Sequence, residues 1–186
     1  MANYFNRYNL QKQISTSKSS CVFLAKDQLI DNIEVCVKRI EFIDKNYKCH
    51  YTETNNLTRM RHININMYLD IFTYEKKLYI VSHTIGGETL ESFISNYSSS
   101  NINNSKKYLP EIDAKIIFSQ LRDAIMYSHK NRNLAHLKLN LRNIYIDNNL
   151  SIKVSNFHLD SITYEPNNYS YDLRFNAPEV NKLILN

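Results

Sequence analysis

The chain has 186 residues, is 43% hydrophobic and 22% charged, and carries a formal charge of +5, a composition that describes one folded core and excludes a disordered chain. No apolar run approaches the ~20 residues that cross a bilayer, and the opening MANYFNRYNL lacks the apolar core of a signal peptide, so a cytoplasmic protein with no membrane attachment is expected. The basic residues lie in scattered pairs such as Lys76-Lys77 and Lys106-Lys107 among acidic ones, which reads as a solvated surface and argues against nucleic acid as a partner.

Segments rich in β-branched and aromatic residues, divided by polar breaks, predict strands at 8–14, 20–26, 33–41, 67–73 and 77–82. In IEVCVKRI the alternation sets Ile33, Val35 and Val37 on one face and Cys36 with Lys38 on the other. Residues 48–61 predict a helix, with Tyr51, Leu57 and Met60 among polar neighbours. Cys21, Cys36 and Cys49 are an odd number without paired spacing, which fits reduced, structural thiols. Gly86 and Gly87 are the two glycines of the chain, so no Walker loop or Rossmann fingerprint exists here, nor any other multi-glycine phosphate cradle.

After the glycine pair the pattern turns helical. ETLESFISNY is a short amphipathic piece, and SSSNINNSKK is a polar spacer. LPEIDAKIIFSQLRDAIMYSHK predicts the strongest helix, with Pro110, Glu111 and Asp113 at its start. Ile117, Leu121 and Ile125 form its stripe, and His129-Lys130 close it. Apolar residues spread around much of this helix, from Ile116, Ile117 and Phe118 to Ala124 and Tyr127, so cover on more than one side is expected. LAHLKLNLRNIYID reads as a strand, a polar loop and a second strand, gathering His136, Lys138, Asn140, Arg142 and Asn143. A further strand, SIKVSN, follows.

This order of elements resembles the protein kinase family, and six motifs occur in matching sequence. VCVK (35–38) is similar to the kinase V-A-I-K, with Lys38 as the phosphate-holding lysine and Glu53 as its partner on the helix. KLYIVSHTIGG looks like the fifth strand and hinge, with Ser82 as gatekeeper. HLKLNLRN (136–143) looks like H-R-D-L-K-P-E-N, SNFH (155–158) like the D-F-G region, and RFNAPEV (174–180) like the A-P-E segment. GETLESFI and NIYID lean toward the group that phosphorylates the translation initiation factor 2 alpha subunit. The resemblance implies an α+β, protein-kinase-like bilobal fold. Residues 1–85 would form a five-stranded N-lobe with one helix, and 86–186 a hinge and a truncated, mostly helical C-lobe. His136, Phe157, Leu57 and Tyr68 would stack in its core. Cys36 and Tyr145 would fall where the family sandwiches adenine, both bulkier than the usual Ala and Leu and able to fill that pocket.

The departures decide the functional expectation. Lys138 stands where the family has its catalytic Asp, Asn140 where it has a Lys, Asn156 where it has the metal-binding Asp, and His158 where it has a Gly. A protonated lysine cannot accept the substrate hydroxyl's proton, and a neutral amide holds a hard cation less well than a carboxylate. The glycine-loop positions are Ser15, Ser17 and Ser20, each adding a Cβ where backbone must approach phosphates. A pseudokinase is therefore expected: no enzyme, no ATP or Mg²⁺ as cofactor, and a regulator that binds a protein partner, either a genuine kinase or a second copy of itself. The rival reading, a weakly ATP-binding or residually active serine/threonine kinase, keeps Lys38, Glu53 and Asn143 as nucleotide contacts.

Overall fold

The structure, a computed structural model, describes residues 7–17, 20–41, 56–100 and 109–157. The chain divides into two compact units, one containing described residues up to Met60 together with Met67–Thr84, the other containing Arg61–Asn66 and the described residues from Ile85 onward.

The first unit is a five-stranded antiparallel sheet of β1 (Tyr8–Thr16), β2 (Ser20–Asp27), β3 (Ile33–Glu41), β4 (Tyr68–Tyr74) and β5 (Lys77–His83), ordered β1-β2-β3-β5-β4. All five expected strands are present. The alternation in β3 does what period-2 patterning requires: Val35 and Val37 are buried with Tyr8, Ala25, Tyr79 and Val81, and Ile33 packs against that cluster. Phe72 stacks between Tyr8 and Tyr79, at ring distances of 5.9 and 5.2 Å. Glu75 and Lys76, both at positive φ, form the two-residue β4–β5 turn, which matches the twist of the flanking strands.

One charged group is sealed into this unit. Asp27, fully buried at the end of β2, takes a fork of hydrogen bonds from Arg7: Nε to Oδ1 at 2.9 Å and Nη2 to Oδ2 at 2.7 Å. The Leu29 amide donates to the same carboxylate at 3.1 Å. Arg7 hydrogen bonding holds the Asp27 carboxyl below its ordinary range, and the same bond raises Arg7. Tyr8 donates to Asp70 at 3.1 Å, and burial pushes its phenol upward.

The second unit contains β6 (Glu88–Thr89), α1 (Leu90–Ser100), α2 (Glu111–Arg132), a 3-10 turn (Leu141–Asn143), β7 (Ile144–Ile146) and β8 (Ile152–Val154). The three strands form an antiparallel sheet, β6-β7-β8. Pro110 sits at the N-cap of α2 and Asn133 at the C-cap with φ 49, donating its N–H to the His129 carbonyl at 3.2 Å. Gln120 ties this helix down from both ends of its amide: Oε1 accepts from Asn64 at 2.8 Å and from the Ile152 N–H at 3.1 Å, and Nε2 donates to the Leu150 carbonyl at 2.7 Å.

Three expectations need correction or limits. Residues 134–137 are not a strand. Leu134 and His136 are buried and Ala135 and Leu137 exposed, so the alternation is real, but among the described residues the segment has no ladder partner and Leu137 turns to φ 63. Of the helix expected at 48–61, residues 56–58 are helical and 48–55 lie outside the described residues. Around α2, Ile117 and Ala124 are buried as expected, whereas Ile116 and Phe118 are exposed together with Ile112 and Met126.

Two outcomes follow from this packing. Arg7→Leu strands a buried carboxylate and is expected to lower stability by about 3 kcal/mol in urea unfolding. The pair's contribution is present above the ordinary Asp value and disappears as pH falls through the depressed folded value, so the acid limb of the wild-type melting curve is shallower in the variant. The glycines separate cleanly. A Cβ on Gly87 (φ 85) would lie 2.1 Å from the Ile146 carbonyl oxygen, whereas one on Gly86 meets nothing within 4 Å. Gly87→Ala is expected to melt several degrees lower, and Gly86→Ala close to wild type.

Candidate functional site

The segment Leu134–Ile146 is built around one amide. Asn140, extended at φ −154, caps the 3-10 turn by accepting the Arg142 and Asn143 N–H groups at 2.9 and 3.1 Å. That cap turns the Asn143 side chain inward, where the residue is buried. Asn143 Nδ2 donates to the Lys138 carbonyl at 2.7 Å, and Asn143 Oδ1 accepts from Asn156 Nδ2 at 2.7 Å. The Asn143 carbonyl accepts from Ser155 twice, from N–H at 2.9 Å and from Oγ at 3.2 Å.

His136 closes the circuit from below. Its Nε2 lies 2.9 Å from the Ser155 carbonyl, and the Lys138 N–H donates to its Nδ1 at 3.2 Å. A carbonyl can only accept and a backbone N–H can only donate. The ring is therefore neutral, with its proton on Nε2. It packs against Phe157 at 4.4 Å between ring centres. Leu137 and Asn156 hold left-handed backbone at φ 63 and 59; asparagine tolerates that region, and leucine is strained in it.

His136, Lys138, Asn140, Asn143 and Asn156 are thus brought into one hydrogen-bonded group in the second unit. Chemically the group is amide-rich and carries a lysine where proton acceptance would need a carboxylate. Asn140 is used up as a cap. Arg142, largely exposed, reaches Glu91 of α1 at 2.8 Å rather than joining Lys138. Sequence reasoning missed Ser155 and Gln120. Gln120 lies in no motif, and Ser155 was quoted only as the first residue of SNFH, without a role of its own.

The remaining expected positions lie in the first unit. Ser15 is exposed beside a β1 irregularity. Ser17 and Ser20 turn their hydroxyls on each other at 2.9 Å, and the Ser17 N–H donates to the Ser20 carbonyl at 2.7 Å. Those groups satisfy their own hairpin. Lys38 is half-buried on β3, opposite Ile80 and Val22. Cys36 pairs across the sheet with the buried Ser82, and burial raises its thiol against the opposing pull of Lys38. Leu57 and Tyr68 are buried in this unit, as His136 and Phe157 are in the other. Glu53, His158 and segment 174–180 lie outside the described residues.

Comparison with known proteins adds four findings. A family model described as "Protein kinase domain" matches residues 8–182. The chain is 26% identical over 182 residues to the STE20-related kinase adapter protein strd-1 of Caenorhabditis elegans, covering 93% of this chain and 45% of that protein. It is 29% identical over 181 residues to the probable serine/threonine-protein kinase KIN1 homolog of Enterocytozoon bieneusi, covering 94% of this chain and 28% of that one. Among solved structures, that of Rad53 1-466 in complex with AMP-PNP superposes with a TM-score of 0.73 at 20% identity, over 96% of this chain and 43% of the other. The chain therefore spans less than half the length of these relatives.

These findings overturn the expectation that the chain is no enzyme, because the domain model and a relative named as a serine/threonine kinase point to one. The physical reason is one of magnitude. A lost general base removes ~10²–10⁴ in rate from an enzymatic acceleration of ~10⁶ or more.

His136→Phe keeps the packing on Phe157 but leaves the Ser155 carbonyl and the Lys138 N–H without partners. A loss of about 2 kcal/mol in chemical denaturation is expected; an unchanged midpoint would refute the assigned hydrogen bonds.

Proposed function

This chain belongs to the protein kinase family, and from that premise we propose that it works chiefly by binding a protein partner, a genuine protein kinase first among candidates, with phosphoryl transfer a weak side activity. The observation that carries this reading is Lys138. It places an ammonium where the family's reaction needs a proton acceptor, and its backbone N–H and carbonyl are both committed to the His136–Asn143 network. Among the described residues, the groups bonded to it in that network are an imidazole and an amide rather than carboxylates. The relative strd-1 is named as a kinase adapter protein, which supports a role in which the fold itself is the functional surface. The exposed Ile112, Ile116, Phe118 and Met126 of α2 supply apolar surface of the kind partners cover.

Pseudokinase character belongs to this proposal in the form of weakened catalysis. The lean toward the initiation factor 2 alpha kinase group rests on GETLESFI and NIYID. Among the described residues no helix is long and apolar enough to cross a membrane, and a cytoplasmic site of action is part of the proposal.

Transfer of labelled phosphate from ATP to a generic protein substrate is expected at least ~10²-fold below the about 1–100 s⁻¹ of ordinary protein kinases. Affinity capture from the native cell is expected to recover a protein kinase in stoichiometric amount with the wild type but not with Phe118→Asp, which puts a charge on the exposed apolar surface of α2. Turnover in the ordinary range, or capture of no protein beyond the Phe118→Asp control, would overturn the reading.

A further inference from the structure

We infer that the side-chain amide of Asn156 takes the place of a divalent cation in this chain, so that the loop 136–143 and the segment after β8 are locked together without metal. The family's chemistry implies Mg²⁺ held by oxygens at these two positions, and the residues present do not fit it. Magnesium demands oxygen ligands in near-octahedral array at about 2.0–2.1 Å. Here the ligand-type oxygen of Asn143 already accepts a hydrogen bond from a nitrogen, Asn156 Nδ2, at 2.7 Å.

The orientation of both amides is forced by the network. The Lys138 carbonyl accepts at 2.7 Å, so Asn143 must present its NH₂ group there and its Oδ1 on the other side. Asn156 can pair with that Oδ1 only through its own NH₂ group. Flipping Asn156 would set oxygen against oxygen, and flipping both would set the Asn143 oxygen against the Lys138 carbonyl. One arrangement satisfies the Lys138 carbonyl, both ends of the Asn143 amide and the Asn156 NH₂ group together.

A carboxylate at 156 reverses the situation. An ionised Asp has no proton to donate, so its oxygens would repel Asn143 Oδ1 unless a cation stood between them. Asparagine removes the charge, supplies the donor and tolerates the left-handed backbone of φ 59. The surrounding bonds all serve this cation-free state: Ser155 N–H and Oγ on the Asn143 carbonyl, and the Asn140 cap under Asn143. Among the described residues no group of three or more His, Cys, Asp or Glu offers an alternative metal site. The inference deepens the proposed weak catalysis but rests on these hydrogen bonds, so fast phosphoryl transfer with no cation at this amide pair would refute the former and leave the latter intact.

The test compares wild type with Asn156→Asp by thermal melting in EDTA and in millimolar Mg²⁺. Wild type is expected to melt within 1 °C in the two conditions, because no ligand site changes occupancy. The variant is expected to melt about 2–4 °C lower in EDTA, as loss of one part-buried hydrogen bond implies, and to recover in Mg²⁺. Titration of wild type with Mn²⁺, followed by electron paramagnetic resonance, gives a second reading that needs no variant. The free Mn²⁺ signal should persist undiminished at micromolar protein. A saturable melting increase of wild type with Mg²⁺, stoichiometric loss of the Mn²⁺ signal, or Asn156→Asp as stable as wild type in EDTA would each overturn the inference.

Discussion

The hydrogen bond between Asn156 Nδ2 and Asn143 Oδ1, 2.7 Å long, is the constraint on which the second unit's site depends. It joins the segment after β8 to the loop before β7, and each partner is oriented by a different piece of backbone. Asn143 is aimed by the Asn140 cap and by the Lys138 carbonyl; Asn156 is aimed by its left-handed backbone. His136 then fixes Lys138 from the opposite side through Nδ1. Every polar group in this circuit has a fixed donor or acceptor role, so one protonation and one amide orientation account for all of it. A part-buried network of this kind rigidifies its surroundings, which is how a loop with a strained Leu137 keeps its shape.

The scaffold does not depend on the substituted residues. In the first unit the sheet is set by the alternating apolar face of β3 and by the stacked Tyr8, Phe72 and Tyr79, with Asp27 and Arg7 anchoring its end. In the second, Gln120 fastens α2 to β8 and to Asn64. The hydrogen bonds described for Lys138, Asn140 and Asn156 run within the loop 136–143 or between it and the segment after β8. Protein kinase architecture and kinase chemistry are therefore separable in this chain, and family membership fixes the first more firmly than the second.

Much of the fold was legible because it rests on short-range patterning. Five strands followed from β-branched alternation, and α2 from Pro110, its acidic first turn and its basic end. The strand expected at 134–137 failed for an instructive reason: Leu134 and His136 do alternate inward, but a strand needs a partner ladder, and that is a property of the tertiary fold. The substitutions at Lys138, Asn140 and Asn156 were visible in the sequence, whereas what they do there was not. Hydrogen-bond direction, the His136 tautomer and the turning of Ser17 and Ser20 onto each other depend on atoms brought together across the chain. Arg7, just before β1, and Asp27, at the end of β2, lie twenty residues apart and carried no local signal of their pairing.

The family's metal-dependent reaction and this chain's amide-linked site meet at a single question, whether a cation reaches Asn143 and Asn156. The most direct measurement is the nuclear magnetic resonance spectrum of the two side-chain amides during addition of Mn²⁺, with and without a non-hydrolysable ATP analogue. The amide-linked site predicts that both NH₂ signals stay sharp throughout, with the Asn156 signal shifted as a hydrogen-bonded donor. Selective, saturable broadening of these two signals by Mn²⁺ would show a cation between them and contradict the account.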